Sequence, residues 1–228
     1  PQEQAVAALR CRYRRHLAQI ALFDVLHDVP TDAFPAVAAG LADLAGATLD
    51  AAVDIARREV PFPAADVAAT PLAVIAMGKA GARELNYVSD VDVIFVTEST
   101  DDIAIDRAVL VSTRIAIAAM HAITDLAAEP ALWEVDANLR PEGKDGALVR
   151  TLDSHVAYYE RWAKGWEFQA LLKARPIAGS ADLGARYAEA VASFVWNSAT
   201  RPGFVESVQR MRERVTEHIP DADVDRQL

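Results

Sequence analysis

The chain has 228 residues, 52% hydrophobic and 25% charged, which is the composition of a globular protein with one large domain or two small ones. Its net charge of −10 argues against nucleic acid as a partner, because nucleic-acid-binding proteins carry a basic surface. The sequence shows no signal-peptide pattern and no apolar run near the roughly 20 residues that cross a bilayer. With Cys11 as its single cysteine, we expect a cytoplasmic protein without a membrane partner.

The N-terminal third is predicted to be helical. Apolar periodicity indicates helices over 4–28 and 32–58, and the Pro-marked segment EVPFPAADVAATP then reads as a linker. The first helix carries a cluster of basic residues, which we interpret as a solvated face, with a partner-docking surface as the alternative. Its members are Arg10, Arg12, Arg14, Arg15 and His16.

The middle of the chain alternates strands and helices, and the C-terminal part is helical. We predict strands over 71–77, 91–97, 131–140 and 147–150, the last two paired across PEGKDG. Predicted helices cover 79–87 in part, 103–127, 152–163, 165–175, 181–197 and 203–218. The pattern divides the chain into a helical segment, a compact α/β core and a second helical segment, at 1–70, 71–178 and 179–228. Because the chain starts at Pro1 and ends on DADVDRQL without a stop signal, we expect a piece of a longer protein.

Two aspartates precede the apolar strand VIFV. Side chains two positions apart on a strand point to the same side, so Asp90 and Asp92 are predicted to direct their carboxylates at one small volume. Two such charges repel each other, and a cation between them would remove that repulsion. Oxygen ligands without a nearby His or Cys favour Mg²⁺, or Mn²⁺, over zinc.

A third carboxylate, Asp136 in WEVDANLRPEG, stands at the end of another predicted strand. If that strand lies beside the first, three carboxylates converge on a site of the type that holds two divalent ions for phosphoryl-group displacement. The same region carries cations that could bind phosphate, of which we favour Arg140. They are Lys79, Arg140, Lys144, Lys173 and Arg175.

The turn that begins Gly78-Lys79-x-Gly81 follows the first predicted strand. It matches neither a Walker A loop nor a dinucleotide fingerprint. Glycines between a strand and a helix nevertheless let backbone N–H groups approach a phosphate closely. The turn is therefore compatible with phosphate binding, but taken alone it favours an ordinary tight turn.

These segments resemble the bifunctional glutamine synthetase adenylyltransferase/adenylyl-removing enzymes of bacteria. The resemblance rests on MGKAGARELNYVSDVDVIFV, VDANLRPEGKDGALV and YYERWAKGWEFQALLKARPIAGSADLG, which together span most of 71–184 in the family's order. It implies an α+β fold with a polymerase-β-like nucleotidyltransferase core, a small mixed sheet with helices, flanked by N- and C-terminal helical segments. It also implies that Asp90, Asp92 and Asp136 are the catalytic metal-binding carboxylates and that Gly78 and Ser89 bind the nucleotide phosphates.

Members of that family carry two similar catalytic domains. The N-terminal one removes AMP from a glutamine synthetase tyrosine by phosphorolysis, and the C-terminal one adds AMP from ATP. ELNYVSDVD has Asn86 where the C-terminal copy typically carries a glycine, so the chain resembles the removing copy. The resemblance implies glutamine synthetase, orthophosphate, ADP or ATP and a PII-type nitrogen regulatory protein as partners. The alternatives are the adenylylating activity and a non-catalytic regulatory binding module, and the acidic triad disfavours the latter.

Overall fold

Two strands covered on both faces form the centre of the fold in the computed structural model, which describes residues 2–100, 102–198, 200 and 203–217. Strands β1 (Leu72–Ala76) and β2 (Val91–Thr97) pair antiparallel, and β5 (Arg175–Gly179) pairs antiparallel with the other edge of β1. The free edge of β2 pairs in parallel with β3 (Val135–Asp136) at its start and with β4 (Val149–Thr151) at its end. The predicted α+β class with a small mixed sheet is confirmed.

Helices cover both faces of this sheet. The helices of the described residues are α1 (Gln2–Val25), α2 (Pro30–Glu59), α3 (Ala64–Ala68), α4 (Gly78–Ala82), α5 (Ile105–Thr124), α6 (Leu152–Arg161), α7 (Gly165–Leu171), α8 (Ala181–Ser198) and α9 (Phe204–Glu217). A 3₁₀ turn covers Gly143–Asp145. The final residues of the predicted C-terminal segment, 218–228, lie outside the described residues.

Alternate residues of the central strands supply two separate cores. Val74 and Phe95 face a core shared with α1, α2 and α5, whereas Ile75 and Ile94 face a core shared with α6, α7 and α8. Each such side chain contributes about 1.5–3 kcal/mol when it is fully buried. This double burial explains why β1 and β2 are continuous apolar runs instead of alternating ones.

Contrary to the expectation from sequence, two of the described helices, α2 and α5, are long and apolar enough to cross a bilayer by length and composition. In this fold both direct apolar residues at the sheet. Leu49 and Val53 of α2 and Ile115 and Ile123 of α5 are buried in the same core. Core helices of an α/β protein have the same length and composition as these two.

The predicted strand 131–140 is wrong over most of its length. Only Val135–Asp136 is a strand, and β4 pairs with β2 instead of with 131–140. The segment after Asp136 bends away because the Arg140 guanidinium donates to the carbonyl oxygens of Ala137 and Gly146 and thereby closes a loop. A closed loop leaves its backbone unable to form a ladder with β4.

Strand β5 was not predicted. The helix expected over 165–175 ends at Leu171, and the chain continues into an edge strand that contains Pro176. Proline disfavours the helical conformation in the residue before it and lacks an N–H for a ladder. Because β5 pairs on one side only, that missing donor is tolerated there.

The basic cluster on α1 is not uniformly solvated. Arg12, Arg15 and His16 are exposed, as expected, but Arg10 is fully buried. Its guanidinium donates to the carbonyl oxygens of Ala122 at 3.0 Å and Glu129 at 2.7 Å. This arginine therefore fastens α1 to the end of α5.

Candidate active site

Strands β2 and β3 bring the three predicted carboxylates together. Asp92 and Asp136 are direct neighbours in the parallel register, and Asp90 lies immediately before β2. One oxygen from each of the three lies within 4.8 Å of the others. Asp92 and Asp136 are half-buried, whereas Asp90 is exposed. The sequence prediction that the three carboxylates converge from neighbouring strands is confirmed.

Hydrogen bonds orient two of the carboxylates. The backbone N–H of Asn138 donates to Oδ1 of Asp136 at 2.6 Å. The Ser89 hydroxyl, which was predicted to bind nucleotide phosphate, donates to Oδ1 of Asp90 at 3.4 Å. Within the described part of the chain, the other oxygen of each of these carboxylates accepts no hydrogen bond and is available for a ligand.

The electrostatics of the cluster favour a cation. Burial, followed by repulsion from Asp90 and Asp136, raises the pKa of Asp92 above its ordinary value, and the Lys79 ammonium opposes that rise. A divalent ion between the carboxylates would replace this repulsion with attraction. Three oxygen donors, without His or Cys, suit Mg²⁺ or Mn²⁺. The residues present therefore fit the predicted metal.

Gly78 leaves room for the Asp92 carboxylate. Its φ is +52°, in the left-handed region that glycine adopts readily, and a Cβ there would lie 2.5 Å from Oδ2 of Asp92. Gly81 is required for a different reason, since a Cβ there would lie 1.8 Å from the carbonyl oxygen of Lys173. The glycine turn thus lets β1, the acidic pair and the segment before β5 approach each other closely.

Arg140, the favoured phosphate ligand, is already engaged by the backbone. Nε donates to the carbonyl of Gly146, Nη1 to that of Ala137 and Nη2 to that of Lys144, all at 2.8–3.1 Å. These bonds use both terminal nitrogens and Nε of the guanidinium. In this conformation, Arg140 shapes the loop that carries Lys144.

Lys173 and Arg175 also have protein partners. Nζ of Lys173 donates to Glu84 at 2.6 Å. The Arg175 guanidinium donates to the carbonyl oxygens of Gly81 and Ala80 at 3.0 Å, at the end of α4. Both side chains hold α4 and the segment after it against the chain that leads into β5.

Lys79 and Lys144 differ from the other predicted cations. Both are exposed, and neither ammonium group has a hydrogen bond or ion pair within the described part of the chain. Lys79 is close enough to Asp92 to influence its pKa. Of the five predicted cations, Lys79 therefore combines an ammonium group without a partner in the described part of the chain with a position near Asp92.

Side-chain hydrogen bonds connect the loop that leads to Asp90 with the first two helices. The sequence did not predict these contacts. Arg83 has a φ of +61° and donates from Nε to Asp43 of α2 at 3.1 Å. The Tyr87 hydroxyl donates to Asp24 of α1 at 2.8 Å. These partners are 40 and 63 residues apart in sequence, and no local pattern indicates such pairs.

A groove of about 940 Å³ lies away from the carboxylates, between the start of α1, the end of α2 and α5. Its lining includes Val6, Arg10, Phe62 and Leu126 and none of the three aspartates. The convergence of charged groups, and not the concavity of the surface, identifies the candidate site.

A small mixed sheet flanked by helices, in which an aspartate pair at the head of one strand meets a third aspartate on its neighbour, defines a nucleotidyltransferase core. Comparison with protein families makes the assignment narrower. The family model for GlnE, glutamate-ammonia ligase adenylyltransferase, matches residues 1–190, and the chain belongs to this family.

Relatives with curated names support the same assignment. A bifunctional glutamine synthetase adenylyltransferase/adenylyl-removing enzyme from Leifsonia xyli subsp. xyli is 61% identical and aligns with 100% of this chain. Proteins with that name from Streptomyces coelicolor and Streptomyces avermitilis are 54% and 53% identical over 96% and 97% of the chain. The chain spans only 22–23% of the length of these relatives.

Proposed function

We propose that this chain removes AMP from an adenylylated tyrosine of glutamine synthetase by phosphorolysis, giving ADP and the unmodified enzyme. The observation that carries the proposal is the meeting of Asp90, Asp92 and Asp136 within 4.8 Å, with Lys79 beside them. The substrate class follows from the relatives, whose names include both an adenylyltransferase and an adenylyl-removing enzyme. We assign the catalytic core to 71–178, with helical segments 1–70 and 179–228 on either side.

The three aspartates would hold Mg²⁺, or Mn²⁺ in its place. When bound, such ions supply positive charge to the attacking and leaving oxygens of a phosphoryl displacement. Asp92 and Asp136 are suited to a fixed position because both are half-buried and adjacent in the sheet. Asp90 is exposed and lies where a ligand from solvent arrives first.

Orthophosphate needs cationic donors near the carboxylates, because a doubly charged anion would otherwise be repelled by them. Lys79 is our first candidate for this role and Lys144 the second, since their ammonium groups have no partner among the described residues. Gly78 and Ser89 flank the same carboxylates and would contact the nucleotide phosphates. Arg140, Lys173 and Arg175 would act indirectly, by holding the surrounding loops.

In the proposed reaction, an orthophosphate oxygen attacks the phosphorus of the adenylyl-tyrosine ester. A new P–O–P linkage forms, the bond from phosphorus to the tyrosyl oxygen breaks, and that oxygen takes up a proton. The products are ADP and free tyrosine on the protein. Lys79 would neutralise part of the charge of the attacking phosphate, and Asp92, next to Gly78, would help to hold the divalent ion that supplies positive charge at the cluster.

A product assay tests this function. The chain is incubated with adenylylated glutamine synthetase and Mg²⁺, with and without orthophosphate, and the released nucleotide is identified. We expect ADP in the presence of orthophosphate, and no release by the Asp92→Asn variant. Lys79→Met should weaken the dependence on orthophosphate more than Arg140→Lys does.

Two outcomes would contradict the proposal. Release of AMP at the same rate without orthophosphate would mean hydrolysis. Transfer of AMP from ATP to unmodified glutamine synthetase, with pyrophosphate as the product, would mean the adenylylating activity, which the relatives' names keep as the second candidate.

A further inference from the structure

The exposed carboxylate of the cluster, Asp90, lies at the end of a loop with little backbone support. We call residues 83–90, between α4 and β2, the Asp90 loop. None of the backbone N–H groups of residues 85–90 donates to a backbone carbonyl oxygen in the described part of the chain. The other two carboxylates, in contrast, lie on the paired strands β2 and β3. The position of Asp90 therefore depends on the side chains that anchor its loop.

Three alternate side chains anchor the Asp90 loop to α1, α2 and the core beneath them. Arg83 donates from Nε to Asp43 of α2 at 3.1 Å, and its Nη2 donates to the second oxygen of that carboxylate. Leu85 is buried in the core that α1 and α2 share with the sheet. The Tyr87 hydroxyl donates to Asp24 of α1 at 2.8 Å. Each anchor therefore connects the loop with the helical pair or with its core.

The two polar anchors are directional. The guanidinium of Arg83 meets both oxygens of Asp43, and two parallel bonds fix the orientation of the pair as well as its distance. Burial, followed by the hydrogen bond to Asp24, raises the pKa of Tyr87 to about 12. The phenol therefore remains a donor to that carboxylate at neutral pH.

Asp43 is also close to the glycine turn that carries Lys79. Nη1 of Arg175 lies 3.9 Å from Oδ1 of Asp43, and the same guanidinium donates to the carbonyl oxygens at the end of α4. The backbone N–H of Glu84 donates to the Lys79 carbonyl oxygen at 2.8 Å, which joins the turn to the Asp90 loop. One carboxylate of α2 thus faces the arginines that hold both the loop and the turn.

We propose that two carboxylates of the helical pair, Asp24 and Asp43, are positioning residues for the metal site. Through the loop that they anchor, they keep the Asp90 carboxylate within reach of a divalent ion. This inference rests on the metal site of the proposed function and gives a role to α1 and α2, which carry none of the three ligands. Tyr87 is three residues from Asp90, at most about 11 Å of chain. A loop that loses an anchor this close moves by more than the roughly 0.2 Å that metal–ligand distances tolerate.

Substitutions can remove each polar anchor without altering a metal ligand. Tyr87→Phe removes only the hydroxyl and changes no charge, whereas Asp24→Ala removes its acceptor. Asp24→Asn is the conservative variant, because its amide oxygen still accepts a hydrogen bond. Asp43→Ala removes the second anchor. The matched control is Asp28→Ala, which removes the same charge from an exposed residue that has no hydrogen bond or ion pair within the described residues.

The affinity of each metal-free protein for Mn²⁺ is measured by electron paramagnetic resonance, which detects the free ion. Binding that Asp92→Asn abolishes is assigned to the site, and urea unfolding without metal measures stability. We expect a roughly tenfold loss of affinity in Tyr87→Phe, Asp24→Ala and Asp43→Ala, the lower end of the range for groups that orient a metal ligand. Asp24→Asn should recover most of that loss, and Asp28→Ala should change the affinity by less than about twofold.

A double variant shows whether Tyr87 and Asp24 act as one anchor. Tyr87→Phe combined with Asp24→Ala should bind Mn²⁺ no more weakly than Asp24→Ala alone, because both changes remove the same hydrogen bond. Additive losses would overturn the anchor mechanism.

Three further results would contradict the proposal. Unchanged affinity in the anchor variants, with only the free energy of unfolding reduced, would mean that the anchors stabilise the fold without positioning Asp90. An equal loss in Asp28→Ala would assign the effect to charge alone. Absence of Mn²⁺ binding by the unmodified chain would contradict the metal site of the proposed function, and this inference with it.

Discussion

Gly78→Ala is expected to weaken metal binding because it displaces the Asp92 carboxylate. The added methyl group would lie 2.5 Å from Oδ2 of Asp92. Ordinary contact begins at 3.4 Å, so the carboxylate must move by about 0.9 Å. Metal–ligand distances tolerate changes of only about 0.2 Å, so a shift of this size takes the oxygen out of its place in the cluster.

The expected magnitude is a loss of roughly 10–100-fold in Mg²⁺ affinity, the range found when the surroundings of a metal ligand are altered. The free energy of unfolding should fall by a smaller amount than the free energy of Mg²⁺ binding. The colliding atom is the end of a flexible side chain, so the main penalty is the left-handed backbone, which costs an alanine about 1–2 kcal/mol. Gly143→Ala is the matched control, because its φ is +60° but its methyl group would lie 3.6 Å from the nearest atom, the Asn138 carbonyl oxygen.

Calorimetric titration of each metal-free protein with Mg²⁺ measures the affinity, and urea unfolding without metal measures the backbone penalty. We expect similar losses of stability for the two variants and a loss of affinity for Gly78→Ala only. Equal affinities for both variants and the unmodified chain would refute the reasoning. So would equal losses in both variants, since backbone strain would then be sufficient to explain them.

Three further predictions concern charge. Asp92→Asn should abolish turnover and the stabilisation of the protein by Mg²⁺. The melting temperature without metal should hold or rise, because the raised pKa of Asp92 shows that its charge is unfavourable in the fold. A clear fall in that temperature would contradict this prediction. Burial, with the charge of Arg150, lowers the pKa of His155 to about 3, and the nearby Phe95 backbone opposes that shift only in part. The neutral ring packs against two tyrosines. Because its pKa is lowered in the fold, the contribution of His155 to the free energy of unfolding is fully present above pH 6.5 and is lost as pH falls toward 3. Urea unfolding at pH 7 and pH 5 gives the difference in the free energy of unfolding between the two pH values, and His155→Phe should reduce that difference by about 2 kcal/mol. An unchanged difference would refute this role of His155. Arg10→Met leaves buried carbonyl oxygens without a donor and should cost about 1–3 kcal/mol, whereas exposed Arg12→Met should stay within about 0.5 kcal/mol; equal effects in thermal unfolding would refute the role of Arg10.

The parts of the site that sequence could predict are those set by local geometry. Asp90 and Asp92 are two positions apart in front of a continuous apolar run, and that spacing alone directs them to one side of a strand. The turn at Gly78 follows directly from the preceding strand. The meeting with Asp136 depended on its strand lying beside that of Asp92, and the parallel pairing of β2 with β3 fulfils that condition.

The pairing of strands and the partners of the cations could not be predicted in this way. Nothing local indicates that β4 pairs with β2, since that choice depends on the loop closed by Arg140. The same holds for Arg10, whose acceptors lie 112 and 119 residues away. A cation in a sequence shows that charge is available, but only the folded chain shows whether its nitrogens are already used.

The position of labelled phosphate in the product tests the central claim most directly. The chain is given adenylylated glutamine synthetase, Mg²⁺ and ³²P-orthophosphate, and the released nucleotide is isolated. Phosphorolysis at Asp90, Asp92 and Asp136 predicts ADP with the label in its β-phosphate and no labelled product from Asp92→Asn. Unlabelled AMP as the released nucleotide would contradict the account.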